Sequence, residues 1–147
     1  MAEIESITGH YIHLPIDGAD YRVYIEESGN GIPVICGHTA GSDSRQWRHV
    51  LADEYLQKDF RLIAFDLPGH GKSFPKVGWW NEEYVLRQDF YIKVIMTLAN
   101  SLNLDRPVFM GCSMGGNICP HLAITYPGFF RALIAVEASD YSGQVEG

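Results

Sequence analysis

Ten residues in the C-terminal part of the chain, Val108-Phe109-Met110-Gly111-Cys112-Ser113-Met114-Gly115-Gly116-Asn117, leave little freedom of local structure. A β-branched and apolar run enters a G-x-S-x-G turn and leaves as a helix. A serine on so tight a strand-to-helix turn is held in a strained backbone conformation, with its hydroxyl pushed clear of the sheet edge. Only small residues fit two positions to either side, and Gly111 and Gly115 supply them. A helix beginning at about Met114 aims its unpaired N–H groups, and the positive end of its dipole, at the place where a tetrahedral oxyanion would form. On this reading Ser113 is a nucleophile and the Met114 N–H one oxyanion donor. The same letters also fit a glycine-rich turn that happens to contain serine, so the flanking chain has to decide.

Two short extended runs, His10 to Pro15 and Tyr21 to Glu26, flank the turn signal Asp17-Gly18 and predict an antiparallel hairpin. Ile32 to His38 and Arg61 to Leu67 are compact apolar runs of the kind buried on both faces of a parallel sheet. Between them Asp43 and Gln46 have the spacing of a capping box, which predicts a helix from about Ser44 to Gln57 with Trp47, Val50, Leu51 and Tyr55 on its apolar face. After Pro68-Gly69-His70-Gly71-Lys72-Ser73 and a loop through Trp79 and Trp80, Asn81 is placed to cap a second helix. It should reach about Asn103 and bury Val85, Ile92, Ile95, Met96, Ala99 and Leu102. Trp79 and Trp80 fit either a substrate mouth or packing against that helix. The last strand is Ala132 to Val136. Pro120 breaks the helix pattern after the serine turn, so a kink or a restarted helix is expected there. Strands alternating with helices predict a mostly parallel sheet with helices on both faces. There is no internal repeat, low-complexity tract or linker, so residues 1–147 read as one domain.

Composition narrows the classes of partner. A formal charge of -7 without any basic run argues against nucleic acid and anionic membranes, because phosphate binding needs clustered Lys and Arg. No apolar stretch is long enough to span a bilayer, and the N-terminus lacks the features of a signal peptide, so a cytoplasmic protein is expected. Cys36, Cys112 and Cys119 have no metal-type spacing and fit a reducing compartment as small buried hydrophobes. Nothing in the sequence calls for a metal or an organic cofactor.

With these segments placed, the chain resembles the N-terminal half of the α/β-hydrolase superfamily from about residue 10 to 140. Three landmarks carry the resemblance, each at the end of a predicted strand: Cys36-Gly37-His38-Thr39-Ala40-Gly41, Asp66-Leu67-Pro68-Gly69-His70-Gly71-Lys72-Ser73, and Gly111-Cys112-Ser113-Met114-Gly115-Gly116. The resemblance implies an α/β-hydrolase-like sheet with an N-terminal antiparallel hairpin, incomplete because the cap and C-terminal strands are missing. It places a second oxyanion donor in the loop after His38, at Ala40 or, one residue earlier, at Thr39, which stands where the family has glycine. His38 is expected to organise that loop, and Asp66 to form a turn.

A serine hydroxyl needs a base, and the base needs an acid to orient it. In this superfamily the order is nucleophile, acid, histidine. Some members, including one group of haloalkane dehalogenases, take the acid from the strand that Ala132 to Val136 resembles. That makes Glu137 the candidate acid and Asp140 a second one, while a solvated carboxylate at a strand end is the plain alternative. A dehalogenase itself is disfavoured, since its nucleophile is a carboxylate. None of His10, His13, His38, His49, His70 and His121 lies where the family places its base. The expectation is therefore a serine hydrolase of an ester, thioester or related acyl substrate, completed by a second polypeptide, a cleaved remainder or another copy that also covers the open strand edge. The alternative is a non-catalytic binding protein or an inactive truncated hydrolase on the same fold.

Overall fold

A computed structural model describes residues 1–139 of the chain. Asp140, the second candidate acid, lies outside the described residues. The N-terminal hairpin forms as expected. β1 (Thr8–Ile16) pairs antiparallel with β2 (Ala19–Ser28) around Asp17 and Gly18, both at positive φ (51° and 77°), the backbone that a two-residue hairpin turn requires.

Four more strands follow: β3 (Ile32–Gly37), β4 (Phe60–Phe65), β5 (Val108–Cys112) and β6 (Ala132–Val136). The sheet order is β1-β2-β4-β3-β5-β6. β2 joins β4 antiparallel, and β4, β3, β5 and β6 run parallel. Alternation along the central strands divides the interior into two cores. Ile35, Ile63, Phe65 and Phe109 face one side with α2 (Gln88–Ser101) and α3 (Cys119–Thr125), while Val34, Cys36, Leu62 and Ala64 face the other with Trp47 and Leu51. Each fully buried Leu, Ile or Phe contributes roughly 1.5–3 kcal/mol, so both faces hold the sheet.

The helices depart from expectation at three points. The first is not continuous from Ser44 to Gln57. It is a 3-10 turn (Ser44–Trp47), a four-residue α1 (Arg48–Leu51) and a further 3-10 turn (Leu56–Lys58). Asp53 Oδ1 accepts the N–H groups of Tyr55 and Leu56 at 2.8 and 3.0 Å, a local bond that competes with helix continuation. Tyr55 is consequently exposed, although Trp47 and Leu51 are buried.

The second helix starts at Gln88 rather than near Asn81, and Val85 is exposed. Tyr84 explains the delay: its hydroxyl donates to Pro68 O at 3.2 Å and its ring packs on His70, which keeps the preceding chain extended. Within α2 the buried positions include Ile92, Ile95, Met96 and Ala99, as the spacing predicts. At the third point the helix expected from about Met114 is instead a 3-10 turn (Gly116–Ile118) followed by α3 from Cys119, and Pro120 falls in the first turn of α3, where its missing N–H costs nothing, as the expected restart requires. The restarted helix is the outcome.

β6 forms an edge of the sheet among the described residues, and its Ile134 and Val136 are exposed. No helix among the described residues is long and apolar enough to cross a membrane.

Candidate active site

The C-terminal ends of β3, β4, β5 and β6 bring the three sequence landmarks together. Ser113 follows β5 directly and holds φ at 50°, a left-handed backbone uncommon for serine and costly outside a site that enforces it. The enforcement is visible. Ser113 N–H donates to Val136 O at 2.8 Å, Gly115 N–H to Cys112 O at 2.9 Å, and Asn117 N–H to Ser113 O at 2.8 Å. The two glycines are required by close approach. A Cβ on Gly111 would overlap the Gly115 carbonyl, and one on Gly115 would lie 2.7 Å from Gly37 O, across the gap between β5 and β3.

The loop after β3 lies against this turn. His38 is fully buried, with Leu67 N–H donating to its Nε2 at 3.1 Å and its Nδ1 lying 2.8 Å from Thr39 O. These partners fix the neutral tautomer in which Nδ1 carries the proton and donates to Thr39 O. Burial holds the His38 pKa below the ordinary histidine value, and the neighbouring His70 acts in the same direction, against the opposing pull of Thr39 O and of the Asp66 and Asp43 carboxylates. Both nitrogens are thus committed, Nδ1 within the loop and Nε2 to the turn after β4.

Asp66 is likewise committed. Its carboxylate accepts Ser44 N–H at 2.6 Å and Lys72 N–H at 2.8 Å, and its carbonyl accepts the Ser73 hydroxyl at 2.6 Å. Ser73 Oγ in turn accepts Tyr24 N–H at 2.8 Å, tying the turn after β4 to the hairpin.

Three amides near the turn differ in a way that bears on chemistry. Thr39 N–H donates to Gln46 Oε1 at 2.9 Å, so the glutamine read as half of a capping box reaches back to the loop instead. Asp43 still caps the 3-10 turn, accepting Arg45 N–H, and the Arg45 guanidinium holds the Asp43 carboxyl down at about 2. The N–H groups of Ala40 and Met114, by contrast, have no hydrogen-bond partner among the described residues.

A cavity of about 770 Å³ is lined by Ser113 and Met114 together with Tyr91, Asn117, His121 and Ser139. Thr39, Ala40 and Glu137 are not among its lining residues. Glu137 follows β6, is exposed, and holds φ at 50°. The next two residues are tied to the serine turn, since Asn117 Oδ1 accepts Ser139 N–H at 2.9 Å and Gly116 leaves room for Ala138. None of the side-chain hydrogen bonds among the described residues joins Ser113 to a histidine. His121, on α3, is the histidine that shares the cavity with Ser113.

Tyr91 is the contributor that sequence reasoning missed. It is buried in α2, and its hydroxyl donates to His38 O at 3.1 Å beneath the loop. The available signal was its place on the apolar stripe with Ile95 and Leu98, where a polar tip requires a partner. Cys36, Cys112 and Cys119 are free and buried, and no cluster among the described residues would hold a metal ion.

The comparisons agree with this geometry. A family model described as the α/β-hydrolase fold matches residues 32–145. The chain is 29% identical over 126 residues to the 2-hydroxy-6-oxononadienedioate/2-hydroxy-6-oxononatrienedioate hydrolase of Burkholderia vietnamiensis, covering 84% of this chain and 42% of that protein. It is 31% identical over 117 residues to bifunctional epoxide hydrolase 2 of Sus scrofa, covering 78% of this chain and 20% of that one. An esterase structure from Thermogutta terrifontis shares the fold with a TM-score of 0.79 at 24% identity, over 93% of this chain and 48% of its own. The chain thus spans less than half the length of these relatives. With the serine turn, the loop after β3 and the mostly parallel sheet in place, the chain belongs to the α/β-hydrolase fold family.

Proposed function

We propose that this protein is the nucleophile-bearing part of a serine hydrolase acting on an ester, thioester or related acyl substrate. The observation that carries the reading is Ser113 itself: a non-glycine residue at positive φ between two glycines that admit no side chain, on the wall of a cavity. The hydrolase names of the relatives support the reaction class, and the acyl preference rests on serine as the attacking group.

In the proposed reaction Ser113 Oγ attacks the substrate carbonyl carbon while its proton passes to a histidine base. The C–O π bond opens to an oxyanion, which the N–H groups of Met114 and Ala40 stabilise. Ala40 is preferred over Thr39 because the Thr39 N–H already serves Gln46. Collapse expels the leaving group, which takes the proton from the histidine, and leaves an ester on Ser113. Water, deprotonated by the same histidine, then attacks that ester, and as the C–Oγ bond breaks the histidine returns the proton to Ser113 Oγ, releasing the acid and free Ser113. Glu137 is proposed as the carboxylate that orients the histidine. Its positive φ and the tether of Ser139 to Asn117 support a turn held in place.

The histidine is proposed to come from a further segment that packs on β6, where the open edge and the exposed Ile134 and Val136 would be covered. That segment would be a second polypeptide, a cleaved remainder or part of another copy. The three buried free cysteines and the charge of -7 support a reducing, cytoplasmic setting with a small-molecule substrate.

A fluorophosphonate probe tests this reading. Incubation of the protein purified together with its completing segment, followed by peptide mass spectrometry, is expected to place the adduct on Ser113 and to give none in Ser113→Ala. A completed assembly that stays unlabelled would identify a ligand-binding protein instead.

A further inference from the structure

Beside the hairpin turn lies a second cavity of about 370 Å³, not lined by Ser113 and within the roughly 300–1,000 Å³ typical of small-molecule sites. Four aromatic rings contribute to its lining: Tyr21 from β2, Phe90 from α2, and Trp79 and Tyr84 from the segment between β4 and α2. Tyr21 and Phe90 pack with ring centroids 5.2 Å apart, and the Tyr84 hydroxyl is anchored on Pro68 O. Trp79 is half exposed, its ring edge-to-face against Trp80 with centroids 6.4 Å apart.

The charges around these rings are unevenly matched. Lys76 lies 2.7 Å from Glu82, Arg87 lies 2.9 Å from Asp89, and Asp17 is held by Lys93 at 2.8 Å. Both cations of the lining are therefore satisfied by carboxylates of the same lining. Glu83, which also lines the cavity, has no ion-pair partner among the described residues. Aromatic faces with one uncompensated carboxylate attract a cation that carries apolar surface, because the ring quadrupole and the carboxylate act in the same direction while methyl groups fill the hollow. An inorganic ion would gain little from the rings, and an anion would find both cations already engaged.

We propose that this cavity binds a small organic cation, a quaternary or alkylated ammonium, seated among Tyr21, Trp79, Tyr84 and Phe90 with its charge toward Glu83. The site is independent of the assignment of Ser113, and binding here requires no chemistry at that serine. Arg87 also lines the cavity of Ser113, so the two sites share a wall.

Titration calorimetry of the full chain with choline, and with its neutral isostere neopentyl carbinol in which carbon replaces the quaternary nitrogen, tests the proposal. Choline is expected to bind saturably and at least about fivefold more tightly than the isostere, the scale of a partly exposed cation–π contact. Glu83→Gln should weaken choline and leave the isostere unchanged, and Trp79→Ala should weaken choline by about fivefold or more. Both residues are exposed, so circular dichroism of the variants should match the parent, and Ser113→Ala should bind choline as the parent does. Equal binding of the isostere, absence of saturable choline binding, or choline affinity unchanged in both variants would overturn the proposal. So would association with phosphatidylcholine vesicles without binding of free choline, which would make the surface a membrane contact.

Discussion

Leu67 donates its backbone N–H to His38 Nε2 at 3.1 Å, from the turn after β4 to the loop after β3. An imidazolium has no lone pair there, so protonation of His38 sets two N–H groups against each other inside the protein. The consequence for acid stability has a definite sign. Burial, aided by His70, holds the folded-state pKa below 6.5 against Thr39 O and the Asp66 and Asp43 carboxylates, so between the folded and unfolded values the unfolded chain binds more protons. The stabilisation is complete above pH 6.5 and is lost as pH falls toward the folded value. Urea denaturation across that range is expected to show stability falling with acidification. His38→Gln, which keeps an acceptor but cannot take the proton, should flatten that part of the slope.

Gly115 offers a sharper structural test. A methyl group there meets Gly37 O at 2.7 Å and His38 O at 3.0 Å, both of them backbone atoms on or next to a central strand. Neither can move without parting β3 from β5. Gly115→Ala is expected to cost about 1–3 kcal/mol in chemical denaturation, as overpacking does, and to slow fluorophosphonate labelling of Ser113 beyond what that loss of stability explains. A variant as stable and as readily labelled as the parent would show that the turn tolerates a side chain the geometry forbids.

Gln46 connects the first 3-10 turn to the loop after β3 through Thr39 N–H. Gln46→Ala leaves that amide to solvent, since Thr39 is only partly buried. The expected loss of stability is about 0.5–1.5 kcal/mol, the net value of one such hydrogen bond. If the Ala40 N–H is the oxyanion donor, its aim depends on the Thr39 tether, and labelling of Ser113 should slow several-fold. Faster labelling would point to Thr39 as the donor released by the substitution.

What could be read from the sequence follows from how far each signal reaches along the chain. β6 was readable to the residue and β5 by its place before the serine turn, because each is written as an apolar run bounded by residues that do not continue it. The serine turn was readable because its glycines answer a steric demand of their immediate neighbours. The start of α2 was not, since Tyr84 is held extended by Pro68, sixteen positions away in sequence. The first helix failed at Asp53, whose side chain chose two nearby amides over helix continuation. Gln46 was recognised by its spacing from Asp43 and assigned the wrong partner, because nothing local says that its amide reaches Thr39. The proposed second donor, acid and base all depend on relations between loops, and those are the parts that periodicity does not encode.

Tyr91 is where α2 supports the loop after β3. Its hydroxyl donates to His38 O at 3.1 Å from a buried position, and the hydroxyl oxygen of Tyr91 itself lies where a Cβ on Gly37 or Gly115 would collide with it, at 2.8 and 3.0 Å. The phenol therefore fills the space the two glycines leave and satisfies a carbonyl that has no other hydrogen-bond partner among the described residues. Burial also pushes the phenol pKa upward, so it remains a neutral donor across any working pH. Tyr91→Phe removes the donor and keeps the ring. It is expected to cost about 1–3 kcal/mol, the range for leaving a buried polar group unsatisfied, measured by denaturation at neutral pH. Because the lost bond holds the residue two positions before Ala40, labelling of Ser113 should also fall while the sheet keeps its circular dichroism. Stability lost without any change in labelling would confine Tyr91 to the core, and the loop after β3 would then owe its position to His38 and Gln46 alone.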